Sequence, residues 1–294
     1  MRAWNLRLIV AGMLVPALNA PACGQDDRFA DVRIETTKLA DGVSMLQGAG
    51  GNLGVLVGDD GVFLIDTQFA PLSEKIRSAI AKLSDRPIRF VLNTHRHYDH
   101  TGGNENFAKA GAILVAHDRV RHRMASAEPP PPAVALPMVT FTDTVTFHLN
   151  GEEIHVFHPG ASHSDGDAIV HFRKANVIHM GDLFFNGIYP YIDVANGGSV
   201  DGLIAAIERI LELADAETRI IPGHGPLANR AGLAAYLGML VDVRDRVAAI
   251  VAAGRSLEQA IRAKPTAAYD AEWETEFMPP EEFVKIVYRS LSGD

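Results

Sequence analysis

A chain of 294 residues with 47% apolar side chains falls in the ordinary globular range, long enough for one large core or two small ones. Its formal net charge of −9 repels phosphate backbones and disfavours a nucleic-acid partner. The single cysteine, Cys23, excludes an internal disulfide.

The chain opens with Arg2 and Arg7, an apolar run over residues 8–18, and the small-residue sequence Ala20-Pro21-Ala22. The run is too short to span a bilayer, which takes about 20 residues. The order of charge, apolar run and small residues is that of a cleaved signal peptide over residues 1–22. A periplasmic or secreted protein is therefore expected, with a domain over 23–294 and no stable membrane insertion. Cys23 directly follows the cleavage signal, as an acylated cysteine would, so a lipid anchor there is the alternative. Ala20 stands where such signals usually carry leucine.

Downstream, strands and helices alternate. Strands are expected at 43–46 and 53–57, with the Gly48 to Gly51 cluster as turn material. The apolar run 61–65 ends in Asp66, as a buried strand ends at a site. A helix is predicted over 72–83 from the stripe Ile76, Ile80, Leu83. A strand at 87–92, another at 112–116 and a helix over 117–126 follow. Four consecutive prolines from Pro129 to Pro132 permit neither helix nor central strand, so a stiff surface loop is expected over about 128–137, overhanging the site. Residues 139–157 alternate like antiparallel strands turning at Asn150-Gly151. Strands at 168–172 and 176–180, an amphipathic helix at 200–213, a short strand at 219–221 and a helical remainder from 231 to 294 complete the pattern. Strand-rich, helix, strand-rich, helix is the order of an α/β four-layer αββα sandwich.

The chemistry concentrates in Asn93-Thr94-His95-Arg96-His97-Tyr98-Asp99-His100-Thr101-Gly102-Gly103. If this segment is extended, His95 and His97 point the same way and can grip one ion. Asp99 and His100 can then reach a second ion beside it, since imidazole and carboxylate suit zinc. His-x-His-x-Asp-His resembles the signature of the metallo-β-lactamase superfamily. The likeness continues through Pro159-Gly160-Ala161-Ser162-His163, through Gly181-Asp182, and through Pro222-Gly223-His224-Gly225, and it includes Asp66.

That resemblance implies a dinuclear zinc hydrolase. His95, His97 and His163 would hold one zinc, Asp99, His100 and His224 the other, and Asp182 would bridge. A hydroxide shared by the metals would attack a carbonyl, Asp99 would orient it, and Asp66 would brace a ligand histidine. Iron, which His and Asp also suit, is the alternative metal. β-Lactam hydrolysis is the first reading of the reaction, given the expected export; thioester hydrolysis of the glyoxalase-II kind, or lactone hydrolysis, is the alternative. The commonest β-lactamases of the family carry cysteine where Asp182 stands, and many carry lysine at the position of Phe185. The small-molecule substrate would meet an aromatic wall formed by Phe185, Asn186 and Tyr189. The remaining histidines, His158 among them, are expected to be structural, and Asp165 and Asp167 to serve loop hydrogen bonds.

Overall fold

The computed structural model describes residues 29–293. The expected signal segment 1–22 and Cys23 lie outside the described residues. Seven strands form the first sheet in sequence order: β1 (Glu35–Lys38), β2 (Val43–Gln47), β3 (Leu53–Leu56), β4 (Val62–Ile65), β5 (Ile88–Leu92), β6 (Ile113–His117) and β7 (Val139–Phe141). Six form the second: β8 (Thr144–Leu149), β9 (Glu152–Phe157), β10 (Ile169–Phe172), β11 (Val177–His179), β12 (Arg219–Ile221) and β13 (Ala228–Asn229), the last pairing outside β12. Both sheets are mixed. β1 to β4 form an antiparallel meander, whereas β4 to β7 are parallel; β11 and β12 are the parallel pair of the second sheet.

The layering follows from side-chain alternation. In β4, Phe63 and Ile65 face the second sheet, where they join Ile154, Val156, Val170 and Phe172 in one cluster. Val62 and Leu64 face outward and are covered by Ile76 and Ile80 of helix α1 (Ser73–Ala81). A strand buried on both faces reads as a continuous apolar run, which is why 61–65 lacks alternation. The outer face of the second sheet is covered by α5 (Val200–Leu213), α6 (Arg230–Ala252) and α9 (Pro280–Ser292), which bury Ile207, Leu240 and Phe283 against Ile178 and Ile220. The result is helix, sheet, sheet, helix. α7 (Leu257–Arg262) and α8 (Asp270–Trp273) connect α6 to α9.

Between β5 and β7 lie α2 (Tyr98–Thr101), α3 (Asn104–Lys109) and α4 (Asp118–Ala125). Residues 128–137 form the expected irregular segment, with one 3-10 turn at Ala133–Ala135. Among the described residues no helix is long and apolar enough to cross a membrane. The ends of β4, β5, β11 and β12 point to one rim; the residues after β5, β11 and β12 and the loop between β9 and β10 carry the candidate ligands, and Asp66 follows β4. Sites in such sheets favour the carboxyl ends of parallel strands.

Candidate metal centre

The segment after β5 is bent rather than extended, which corrects the expectation that His95 and His97 line up by strand geometry. His97 is the residue that opens α2, and that single helical turn sets Asp99 and His100 one after the other. The bend is fixed from below. Asp66, itself in the left-handed region with φ of 62°, accepts from Thr94 N at 2.7 Å and from Thr94 Oγ1 at 2.7 Å. The buried amides of Asn93 and Asn104 also exchange hydrogen bonds of 2.8 and 3.0 Å.

Two donor groups result. In the first, His97 Nδ1 lies 3.1 Å from His95 Nε2 and 3.0 Å from His163 Nε2. Asp182 Oδ2 closes this group at 3.6 Å from His95 Nε2 and 3.8 Å from His163 Nε2. In the second, His224 Nε2 lies 3.4 Å from His100 Nε2 and 3.2 Å from Asp99 Oδ2. Asp182 Oδ1 approaches His100 Nε2 to 3.1 Å and His224 Nε2 to 3.5 Å. One carboxylate thus turns one oxygen to each group. Gly223 makes this close approach feasible, because a Cβ there would stand 2.1 Å from Asp182 Oδ1.

These separations test the fit of a metal. A tetrahedral ion with bonds of about 2.0–2.1 Å has ligand–ligand edges of roughly 3.3–3.4 Å, the middle of the observed range. Asp182 Oδ1 is buried and, despite its neighbours' proximity, accepts no hydrogen bond, as suits an oxygen meant for a cation. Imidazole nitrogens converging at 3.0–3.1 Å likewise need a cation between their lone pairs. The residues present fit two ions.

The outer nitrogens are held as ligands require. His95 Nδ1 meets Thr94 Oγ1 at 3.1 Å, His163 Nδ1 donates to Tyr191 O at 2.8 Å, and His100 Nδ1 donates to Asp66 Oδ2 at 2.8 Å. His97 Nε2 donates to Asp193 Oδ2 at 2.9 Å, and Arg96 Nη2 reaches the same oxygen at 2.8 Å. Asn196 donates to both Asp193 oxygens. Asp193 escapes sequence reading because nothing in Tyr191-Ile192-Asp193 marks it; only the folded loop carries it to His97.

Electrostatics separate the two groups. Burial and the neighbouring imidazoles hold His95 well below the usual histidine range, and burial lowers His163 to about 4. In the second group burial opposes protonation, yet Asp182, Asp66 and Asp99 raise His100, while Asp182 and Asp99 raise His224 to about 9. Burial likewise opposes ionisation of Asp182, but His100, His224 and His95 keep it well below the carboxylate range. Loading the second group must expel its imidazolium protons. Its metal affinity is therefore expected to rise with pH up to about 9, whereas His95 and His163 have no proton to give at neutral pH. Calorimetric titration in buffers of different ionisation heat would count the protons released; equal release at both sites would contradict this asymmetry.

Other residues lie elsewhere. His158 donates Nδ1 to Asp167 O at 2.7 Å and stacks on His117 at 4.1 Å. His179 is buried against Asn52 O at 3.0 Å. Asp165 pairs with Arg123 at 2.6 and 2.7 Å, and Asp167 accepts from Ser164 N at 2.8 Å, both bracing the His163 loop.

The expected aromatic wall requires correction. Tyr189 sits fully buried beneath the outer helices, its hydroxyl donating to Asp270 at 2.9 Å and its ring stacked on Phe283. Phe185 is 1% exposed, its ring parallel to His224 at 5.1 Å, so it supports a ligand and offers substrate no face. Asn186 turns its amide to Pro226 O at 2.9 Å. Among the described residues, exposed rings in contact with the ligand histidines come from Tyr191 and Phe277, and the exposed Tyr98 shares a cleft lining with His97. Phe277 comes from the segment before α9 and could not be placed from sequence.

Residues 47–224 match the family model described as the metallo-beta-lactamase superfamily. A hydroxyacylglutathione hydrolase of Nitrosococcus oceani is 32% identical over 166 residues, 55% of this chain and 58% of that protein. The alpha subunit of a 2,4-dinitroanisole O-demethylase of Nocardioides sp. is 27% identical over 135 residues, 44% of this chain and 40% of that one. The chain thus spans about half the length of the curated relatives it matches. A metallo-beta-lactamase from Pontibacter korlensis shares the fold with a TM-score of 0.63 at 22% identity, over 71% of this chain and 100% of that one.

Proposed function

We propose that this chain, which belongs to the metallo-β-lactamase superfamily, is a dinuclear zinc hydrolase cleaving a thioester or ester. The observation that carries the reading is Asp182, whose two oxygens face two complete donor groups. Three histidines with Asp182, and two more with Asp99, would hold the pair. Zinc bound in such a set supplies Lewis acidity and water activated at neutral pH. The chain's own residues do the rest. Asp99, kept ionised by His100 and His224 against the effect of burial, is a carboxylate poised to accept a proton and orient the attacking water. Asp66 and Asp193 fix the rings of His100 and His97.

Two observations put an acyl ester or thioester ahead of a β-lactam. The hydroxyacylglutathione hydrolase relative is named for a thioester reaction. The position beside His224 that would need a cation for a β-lactam carboxylate holds the buried, stacked Phe185. Burying that carboxylate without a partner is costly.

The reading is tested by assaying zinc-loaded protein on a glutathione thioester, an aryl ester, a lactone and a chromogenic cephalosporin, each with a chelator control. Chelator-sensitive turnover is expected, with kcat/KM for thioester or ester at least about tenfold above that for the cephalosporin, a difference of about 1.4 kcal/mol. A cephalosporin preference would restore the β-lactam reading, and activity indifferent to chelation would remove the metal from the reaction.

A further inference from the structure

Beside the metal centre lies a cleft of about 680 Å³ walled by the proline run. That volume is within the range that holds a small organic ligand. Pro129 to Pro132 form one side, and Ala70, Tyr98, Met124 and Ala127 supply much of the rest. Proline rings offer hydrocarbon without an N–H, and a run of four is stiff, so the wall resists collapse into the cleft.

The cleft's charged side chains are mostly committed. Arg123 gives Nε and Nη2 to Asp165 and Nη1 to Asn196, and Glu105 pairs with Lys109. Arg96 gives Nη2 to Asp193, but its Nε is buried and has no hydrogen-bond partner. His97 belongs both to this lining and to the first donor group, so the cleft adjoins the reacting centre.

We propose that the proline-walled cleft is the acyl pocket of the enzyme. It takes an apolar alkyl or aryl group whose carbonyl end lies at His97. The inference rests on the hydrolase reading and gives it a substrate class: esters or thioesters of medium-length or aromatic acids rather than of acetate.

Ala127 is exposed on the rim of the cleft, so Ala127→Trp can plug it without disturbing the core. Octanoate and acetate serve as non-reacting probes, titrated calorimetrically against zinc-loaded protein. Wild type is expected to bind octanoate at least tenfold more tightly than acetate, and the plug to remove that advantage while leaving acetate unchanged. With octanoyl and acetyl thioesters, the plug should raise KM tenfold or more for octanoyl alone and spare kcat. Ala127→Leu, a smaller plug, should give an intermediate effect. Equal binding of the two acids, or octanoate binding indifferent to both plugs, would overturn the pocket. Plug-sensitive octanoate binding with no turnover of any ester or thioester would leave the pocket standing and overturn the hydrolase reading instead.

Discussion

Asp182→Asn is expected to reduce metal content from two equivalents to at most one and to lower hydrolysis at least about a thousandfold. The change is nearly isosteric, so packing is spared and the loss reports on charge and donor atoms. Asparagine has one oxygen, whereas the native carboxylate sends one oxygen towards His95 and His163 and the other towards His100 and His224. Whichever way the amide turns, its NH2 group faces one donor set and repels a cation there. Metals in such sites contribute several kcal/mol of charge stabilisation, and each 1.36 kcal/mol is tenfold in rate. The ion-free protein should respond too. Asp182 helps to raise His224 to about 9, and that contribution to stability is full below the unfolded histidine pKa of about 6.5 and fades as pH rises through about 9. The variant should therefore be less stable than wild type at pH 6, and the gap should narrow as pH rises through about 9. Metal analysis, turnover and thermal melts at the two pH values read all three effects; two retained equivalents with normal turnover would refute the bridging role.

Gly51→Ala should remove the second metal equivalent and leave the first. The glycine is needed here for space, since a Cβ would lie 2.0 Å from His100 Cε1 and 2.4 Å from His100 Nε2. His100 cannot step aside, because it is fully buried and its Nδ1 is bound to Asp66 at 2.8 Å. Gly51 is itself tied to Asp99 O at 3.1 Å and to the Gln68 amide at 2.7 Å. Overpacking of this kind costs typically 1–3 kcal/mol. Because the misplaced group is a ligand, the loss of second-site affinity should exceed the 10–100-fold typical of supporting residues. Metal stoichiometry beside circular dichroism separates site loss from unfolding; a variant with two equivalents and native turnover would show that the site absorbs the methyl without displacing His100.

The parts of this design legible from sequence are those written in contiguous residues. The apolar run of β4, the amphipathic stripe of α5 and the ligand-bearing motifs each announce themselves locally. β1 does not: its four residues are polar and exposed, and only pairing with β2 makes them a strand. α2 and α3 are too short to form alone and exist because Asp66 and the Asn93–Asn104 pair shape the loop around them. The same limit hid Asp193 and misplaced Phe185 and Tyr189. An aromatic run beside a ligand looks alike whether its rings face substrate or core; here Phe185 stacks on His224 and Tyr189 on Phe283, both buried.

The donor groups have a consequence beyond reactivity, because they tie together distant stretches of a chain whose single cysteine allows no internal disulfide. His97 and His163 are 66 positions apart, and His100 and His224 are 124 apart. An ion joining such positions is a staple across a long loop, and in the chain-entropy account a cross-link closing about 100 residues disfavours the unfolded ensemble by about 4.7 kcal/mol. Metal supply would then govern the lifetime of the polypeptide as well as its turnover, with scarcity exposing it to proteolysis.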